Sequence, residues 1–307
     1  MLGIAAELDC RPPLAWWPED AVFAADFAGW RFMCDGTPIA ATQAFALLRM
    51  GPAWDDAVQE LAANTPRRSA AGLLLEEARQ RLSDHPATPT DWTFLSGMPI
   101  VTPLPGEPPF SPIRIASDGN IFARVNLGPQ SLASGERISL RVRYRAGTSE
   151  RLGVYMRDEV SGVQSILDGP AGAIAAQSAS GGAWSNIVNT VLGGGLHEVT
   201  ATIAVNTSSA GWRMGLSPRS TVVGADVEVF GAMNEKRDRA GNWLLGQTNQ
   251  PAEQLVLHLP EDDRVLEVQL DDGSTQSIEG VGPDHVLTAE GLGFAGRRFV
   301  IGGIVAW

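Results

Sequence analysis

Between residues 91 and 236 the chain never runs far enough without a break to make a long helix. Short stretches rich in β-branched and aromatic residues follow one another, each closed by Gly, Pro, Asn or Asp: 113–116, 121–127, 138–145, 152–157, 184–191, 199–205, 212–216 and 222–230. Parallel strands need crossovers of a dozen or more residues, usually helical, and no helical pattern lies between these stretches. About eight strands at this turn density therefore predict an antiparallel β-sandwich of the jelly-roll kind over residues 91–236. The segment Ile138-Ser139-Leu140-Arg141-Val142-Arg143-Tyr144-Arg145 alternates strictly, so it buries one face and presents three arginines on the other. The Gly-, Ala- and Ser-rich stretch 169–182 reads as a long loop.

The flanks differ from this middle. Residues 1–90 open with Pro12, Pro13 and Pro18, which remove donors and fix φ, so an extended arm with one strand near 21–30 is expected. Trp16 and Trp17 in that arm either dock on a neighbouring subunit or pack on their own domain. An Ala-rich segment over 38–50 and the spacing of Ala57, Val58, Leu61 and Ala62 predict short helices. Leu73, Leu74, Ala78 and Leu82 are helix-spaced, yet Gly72 and Pro86 would bound a strand equally well. After Arg237 the runs 254–259, 264–270, 275–279, 285–289 and 298–307, with an Asp-Gly turn at 272–273, predict a small C-terminal β unit over 237–307. The expected fold is mainly β: a jelly-roll sandwich with an N-terminal extended and short-helical anchor and that C-terminal unit.

The net charge of −12 gives no surface that could track phosphates, so no nucleic-acid partner is expected. Cys10 and Cys34 form neither a disulfide framework nor a zinc spacing. The N-terminus lacks a basic start, and no apolar run approaches the roughly 20 residues of a membrane span, so neither a signal peptide nor membrane insertion is expected. Gly291-Leu292-Gly293-Phe294-Ala295-Gly296 fits a dinucleotide fingerprint, but a strand pattern follows it where a helix is required, and it reads as a loop. The four histidines are scattered. The acid pairs Glu76-Glu77, Asp262-Asp263 and Asp271-Asp272 read as turns and solvated edges rather than a catalytic dyad or calcium site. No catalytic residue, metal or cofactor is expected. Recognition chemistry remains: aromatic faces and arginine forks suit sugars, and the middle domain offers Arg143, Tyr155, Trp184 and Trp212 for a polysaccharide.

Asn64, Pro66, Arg67, Gly72, Leu73, Leu74, Glu76, Glu77 and Arg79 spell Asn-x-Pro-Arg followed by Gly-Leu-Leu-x-Glu-Glu-x-Arg. This resembles a motif near the N-termini of tailed-phage tail, fibre and spike proteins, in which a jelly-roll, carbohydrate-binding-like domain follows. Residues 225–235 also look like the closing strand of such domains, and taken together the chain looks most like a head spike protein of phage-derived gene transfer agents. The resemblance covers roughly residues 20–235. Gln80-Arg81 departs from the usual Thr-Asn, and residues 238–307 have no counterpart. It implies an extended rather than helical segment after Gly72. It also implies a virion structural protein at a capsid vertex, assembled in the bacterial cytoplasm and released by lysis. Its partners would be copies of itself, with a pentamer as one arrangement, a capsid protein or spike fibre, and bacterial capsular polysaccharide. Trp16, Trp17, Arg67, Glu76, Glu77 and Arg79 would serve assembly. Two alternatives stay open: a connector that leaves sugar binding to a separate fibre, and a capsule-degrading glycanase.

Overall fold

The computed structural model describes residues 20–307 apart from 50–52, 55–59, 63, 70–71, 77–78, 84–85, 93, 107–108, 242, 246–248, 251, 263, 271–272 and 294–298. The chain divides into two units: Met1–Pro52, Leu61–Glu77 and Ala252–Trp307 form one, Ala53–Glu60 and Ala78–Pro251 the other.

Eight strands frame the second unit: β1 (Ile113–Ala116), β2 (Arg124–Asn126), β3 (Arg137–Arg145), β4 (Arg151–Asp158), β5 (Gln164–Pro170), β6 (Leu196–Val205), β7 (Ser209–Ser217) and β8 (Asp226–Lys236). They pair antiparallel in the orders β1-β8-β3-β6 and β2-β7-β4-β5. Successive strands thus alternate between sheets everywhere except the β4–β5 hairpin, which is the paired Greek-key topology of a jelly roll. Strands 100–103, 182–193, 94–96 and 175–179 extend the sheets beside β1, β6, β2 and β5. The inward residues of alternate positions make one core, among them Leu140, Val142 and Tyr144 of β3, Val154 and Met156 of β4, and Trp212, Met214 and Leu216 of β7. Each such side chain contributes about 1.5–3 kcal/mol by leaving water. The ends of this unit are themselves joined, because Arg79–Gln80 pairs antiparallel with Asn249–Gln250.

In the first unit, Phe299–Ala306 lies inside the main sheet. It pairs with Arg264–Leu270 on one side and with both Phe23–Asp26 and Gly72–Leu75 on the other. A second sheet of Phe45–Leu48, Gln254–Leu257 and His285–Thr288 shares a core with it, built on Phe23, Phe27, Leu73, Leu75, Leu255, Leu257 and Ile304. The rings of Phe27, Trp30, Phe32 and Phe45 meet mostly edge to face, with centroids 5.3–6.2 Å apart.

Four expectations are corrected. The division at 90 and 236 gives way to two units, because strands from 23–75 and 254–306 hydrogen-bond to one another and residues 237–250 fold with the jelly roll. Among the described residues the helical anchor is reduced to one α-helical turn at Ala41–Ala44 and a 3-10 turn at Pro89–Asp91, while Ala57 and Val58 of the second expected helix lie outside the described residues; Phe45–Leu48 is extended because it pairs with Gln254–Leu257, and that pairing outweighs the Ala-rich local preference. The stretch read as a loop contains the end of β5 and the strand Ala175–Ala179. The arginine face of β3 is covered at Arg141 and Arg143, and of its three arginines Arg145 stays exposed. Arg141 and Arg143 are buried against Glu198, and the Arg143 guanidinium lies 5.3 and 5.6 Å from the Phe110 and Trp243 ring centroids.

Candidate functional site

Phe110 and Trp243 lie over β3 at Arg143, and the outer face of the other sheet gathers a second set of polar side chains. Its outward positions carry Arg124 and Asn126 on β2, Gly215 on β7, Gly153, Tyr155 and Arg157 on β4, and Gln164 and Asp168 on β5. Glycines let the arginines lie flat here. A Cβ at Gly215 would stand 2.5 Å from Asn126 Oδ1 and 2.8 Å from Arg124 Cδ, and one at Gly153 would collide with the Arg219 stem. Tyr155 is the buried floor, with the Arg124 and Arg219 guanidinium groups 5.3 and 5.8 Å from its ring centroid. Burial pushes its hydroxyl up, so it stays a neutral phenol that donates to Ile121 O (3.2 Å) and accepts from Arg219 Nη1 (2.9 Å). Arg219 in turn bonds Asp168 and lies 5.5 Å from the ring of Phe122, which is 45% exposed.

Beside this floor is a cleft of about 410 Å³ lined by Ser96, Gly97, Asn120, Phe122, Arg124, Arg157, Glu159 and Gln164. One carboxylate bridges two arginines in it: Glu159 Oε1 accepts from Arg124 Nη2 (2.7 Å) and Oε2 from Arg157 Nε (3.1 Å). Arg124 also donates to Asn126 Oδ1, and Arg157 Nη1 donates to Gln164 Oε1 (3.1 Å). The turn that carries Glu159 is held by its neighbour Asp158. Buried and ionised, Asp158 accepts from Ser161 Oγ (2.5 Å), Ser209 Oγ (2.6 Å) and the Val160 and Ser161 amides (both 3.1 Å).

Burial alone would raise the Asp158 carboxyl, but these donors outweigh it and hold it below the usual carboxylate range. A depressed native value means that this contribution to stability is complete above the unfolded-chain value of about 3.9 and is lost as pH falls through the native one. Asp158→Ala should lower the stability of the jelly roll by about 1–3 kcal/mol at pH 7, since it removes a buried carboxylate that accepts four hydrogen bonds and ties the turn to Ser209. The deficit relative to wild type should shrink below pH 4. Thermal unfolding of both proteins at pH 7 and pH 3 checks this.

The residues assigned to sugar from sequence do not converge. Trp212 is fully buried in the core and donates its indole N–H to Thr207 O (3.0 Å), so no ligand can stack on it. Arg143 lies under Phe110 and Trp243 in the opposite sheet, with both its bonded nitrogens committed to Glu198. Trp184 packs against the core from the edge strand beside β6. Tyr155 alone belongs to the open face, as floor rather than contact. The cleft residues Phe122, Arg124, Glu159 and Gln164 were not singled out by sequence, and the one available signal was Arg157 two residues from Tyr155.

Of the residues assigned to assembly, Trp16, Trp17 and Glu77 lie outside the described residues, and Arg79 enters the ladder with Gln250 through its backbone. Arg67 and Glu76 are buried within the first unit. Arg67 donates to Glu76 Oε2 (2.8 Å) and Glu253 Oε1 (2.6 Å), Arg49 Nη1 is 3.4 Å from Glu253 Oε1, and the Glu76 amide donates to Glu253 Oε2 (2.9 Å). Other residues of the motif serve the same fold. Asn64, at φ 63°, accepts from the Arg49 amide (2.8 Å), and Gly72, at φ 138°, lies against Ile301 O where a side chain would clash.

No protein-family model and no curated protein matches this chain. Among the described residues no group of three His, Cys, Asp or Glu side chains could hold a metal ion, and no helix is long and apolar enough to cross a membrane.

Proposed function

We propose that this chain is a structural spike of a phage-like particle of the gene-transfer-agent kind, and that it attaches the particle to bacterial cell-surface polysaccharide through the jelly-roll cleft. The cleft carries the reading: an exposed aromatic ring, Phe122, stands beside a fixed lattice of guanidinium, amide and carboxylate groups on an otherwise β-sheet surface. Rings offer apolar faces to sugars, and forks and amides bind hydroxyls in fixed directions. The motif over 64–79 and the jelly-roll topology support the particle setting. A binding rather than hydrolytic role fits the lining, which includes one carboxylate, Glu159, already shared by two arginines; glycoside hydrolysis uses two carboxyl groups flanking the bond. On this reading the other partners are further copies of the chain, in a closed ring with heterologous contacts, and a capsid protein or spike fibre.

Labelled full-chain protein should bind encapsulated cells and not an acapsular strain. Phe122→Ala should weaken that binding about tenfold, equivalent to about 1.4 kcal/mol, without lowering the melting temperature. Equal binding to both strains, or release of sugar fragments from capsule, would overturn the proposal.

A further inference from the structure

We propose that the cleft recognises a carboxylate-bearing sugar, a hexuronate unit of an acidic polysaccharide; this rests on the polysaccharide reading above and narrows it. The inference comes from which hydrogen-bonding groups of the lining are already committed. Arginine can only donate, so the bond from Arg157 Nη1 forces the Gln164 oxygen toward it and leaves the Gln164 amide nitrogen as a donor with no protein partner. The same logic applies to Asn120, whose oxygen accepts from the Phe122 backbone amide (2.9 Å), leaving its NH₂ group unbonded. Arg157 Nη2 makes no hydrogen bond within the protein, although its side chain is 29% exposed and fixed by Glu159 and Gln164. Ser96 Oγ accepts from Asn126 Nδ2 (3.1 Å), which leaves its hydroxyl proton to give.

Four groups of the cleft thus have hydrogen atoms to donate. The one carboxylate, Glu159, has an arginine on each oxygen. A neutral sugar presents hydroxyls that both give and accept, whereas a carboxylate accepts at about four lone-pair sites and gives none. The formal charge of Arg124, Arg157 and Glu159 is one net positive, in a chain whose net charge is −12. Acceptor-only chemistry and negative charge are what this lining complements, and charge-assisted bonds to a guanidinium are the stronger kind. Phe122, at the side of the same cleft, gives the sugar ring an apolar surface, so ring and carboxylate are read together.

The test is calorimetric titration of the full chain with oligosaccharides of glucuronate, galacturonate and mannuronate, with the same oligosaccharides after reduction of their carboxyl groups, and with dextran sulfate. At least one uronate should bind at least about tenfold more tightly than its reduced form and than dextran sulfate. Arg157→Gln and Gln164→Glu should each remove that difference at unchanged melting temperature. Equal affinity for uronate and reduced forms would overturn the carboxylate assignment while leaving sugar binding intact. Binding to dextran sulfate as tight as to uronate would show diffuse charge attraction and overturn it as well. If no sugar of either form binds, the assignment falls together with the polysaccharide reading.

Discussion

Glu253→Ala should destabilise the first unit by about 3–5 kcal/mol, the cost of leaving a buried ion pair with one partner. Arg49, Arg67, Glu76 and Glu253 are all 3% exposed or less. Burial acts to lower the Arg67 guanidinium, but Glu76 and Glu253 reverse this and hold it above its ordinary value; Arg49, less well paired, is held below it by burial. Removing Glu253 leaves two cations with one carboxylate and also strips the Glu76 amide of its acceptor. Hydrogen exchange locates the loss: amides of 255–257 and 301–306 should exchange faster, and those of 138–145 should not. A loss below about 1 kcal/mol, or one spread evenly through both units, would contradict this account.

Trp212→Ala should cost about 3–5 kcal/mol in the jelly roll, the range for emptying a large aromatic site in a core that cannot fully collapse. The ring touches no solvent, and its removal also frees the Thr207 carbonyl. Chemical denaturation followed in the second unit measures the change. If Trp212 instead contacted sugar, the variant would keep its stability and lose only glycan affinity, so the two roles predict opposite results.

The sandwich was legible because strand alternation is a local property. The side chains of 138–145 declare their faces without reference to any partner, and the runs at 113–116 and 199–205 do so nearly as well. Strand β5 was missed because Gln164-Ser165-Ile166-Leu167-Asp168-Gly169-Pro170 ends in turn residues that only the hairpin with β4 overrides. The cleft was illegible for a different reason. Ser96, Asn120, Phe122, Arg157 and Gln164 are ordinary polar or aromatic residues from three separate stretches of the chain, and only strand pairing brings those stretches together. Aromatic content is an ambiguous signal of a sugar site, since tryptophan has the largest apolar surface and is drawn into cores as readily as onto ligands. The split of the first unit across both ends of the sequence likewise leaves no local trace, because pairing between 23–26 and 303–306 depends on everything folded between them.

That split sets an order of events during synthesis. Phe23–Asp26 and Gly72–Leu75 leave the ribosome long before Phe299–Ala306, so, although each has a local partner in Arg31–Cys34 and Arg67–Ser69, the side that pairs with Phe299–Ala306 waits open while the whole jelly roll is made. Closing the first unit across a long unfolded insert would carry the loop-closure entropy of the entire segment. The ladder between Arg79–Gln80 and Asn249–Gln250 shortens that loop: once the insert has folded, the chain leaving it starts beside the chain that came in. Completion of the first unit is then conditional on the second, and not the reverse. A lesion such as Trp212→Ala should therefore delay both units in refolding, whereas Glu253→Ala should leave the jelly roll to fold at its own rate.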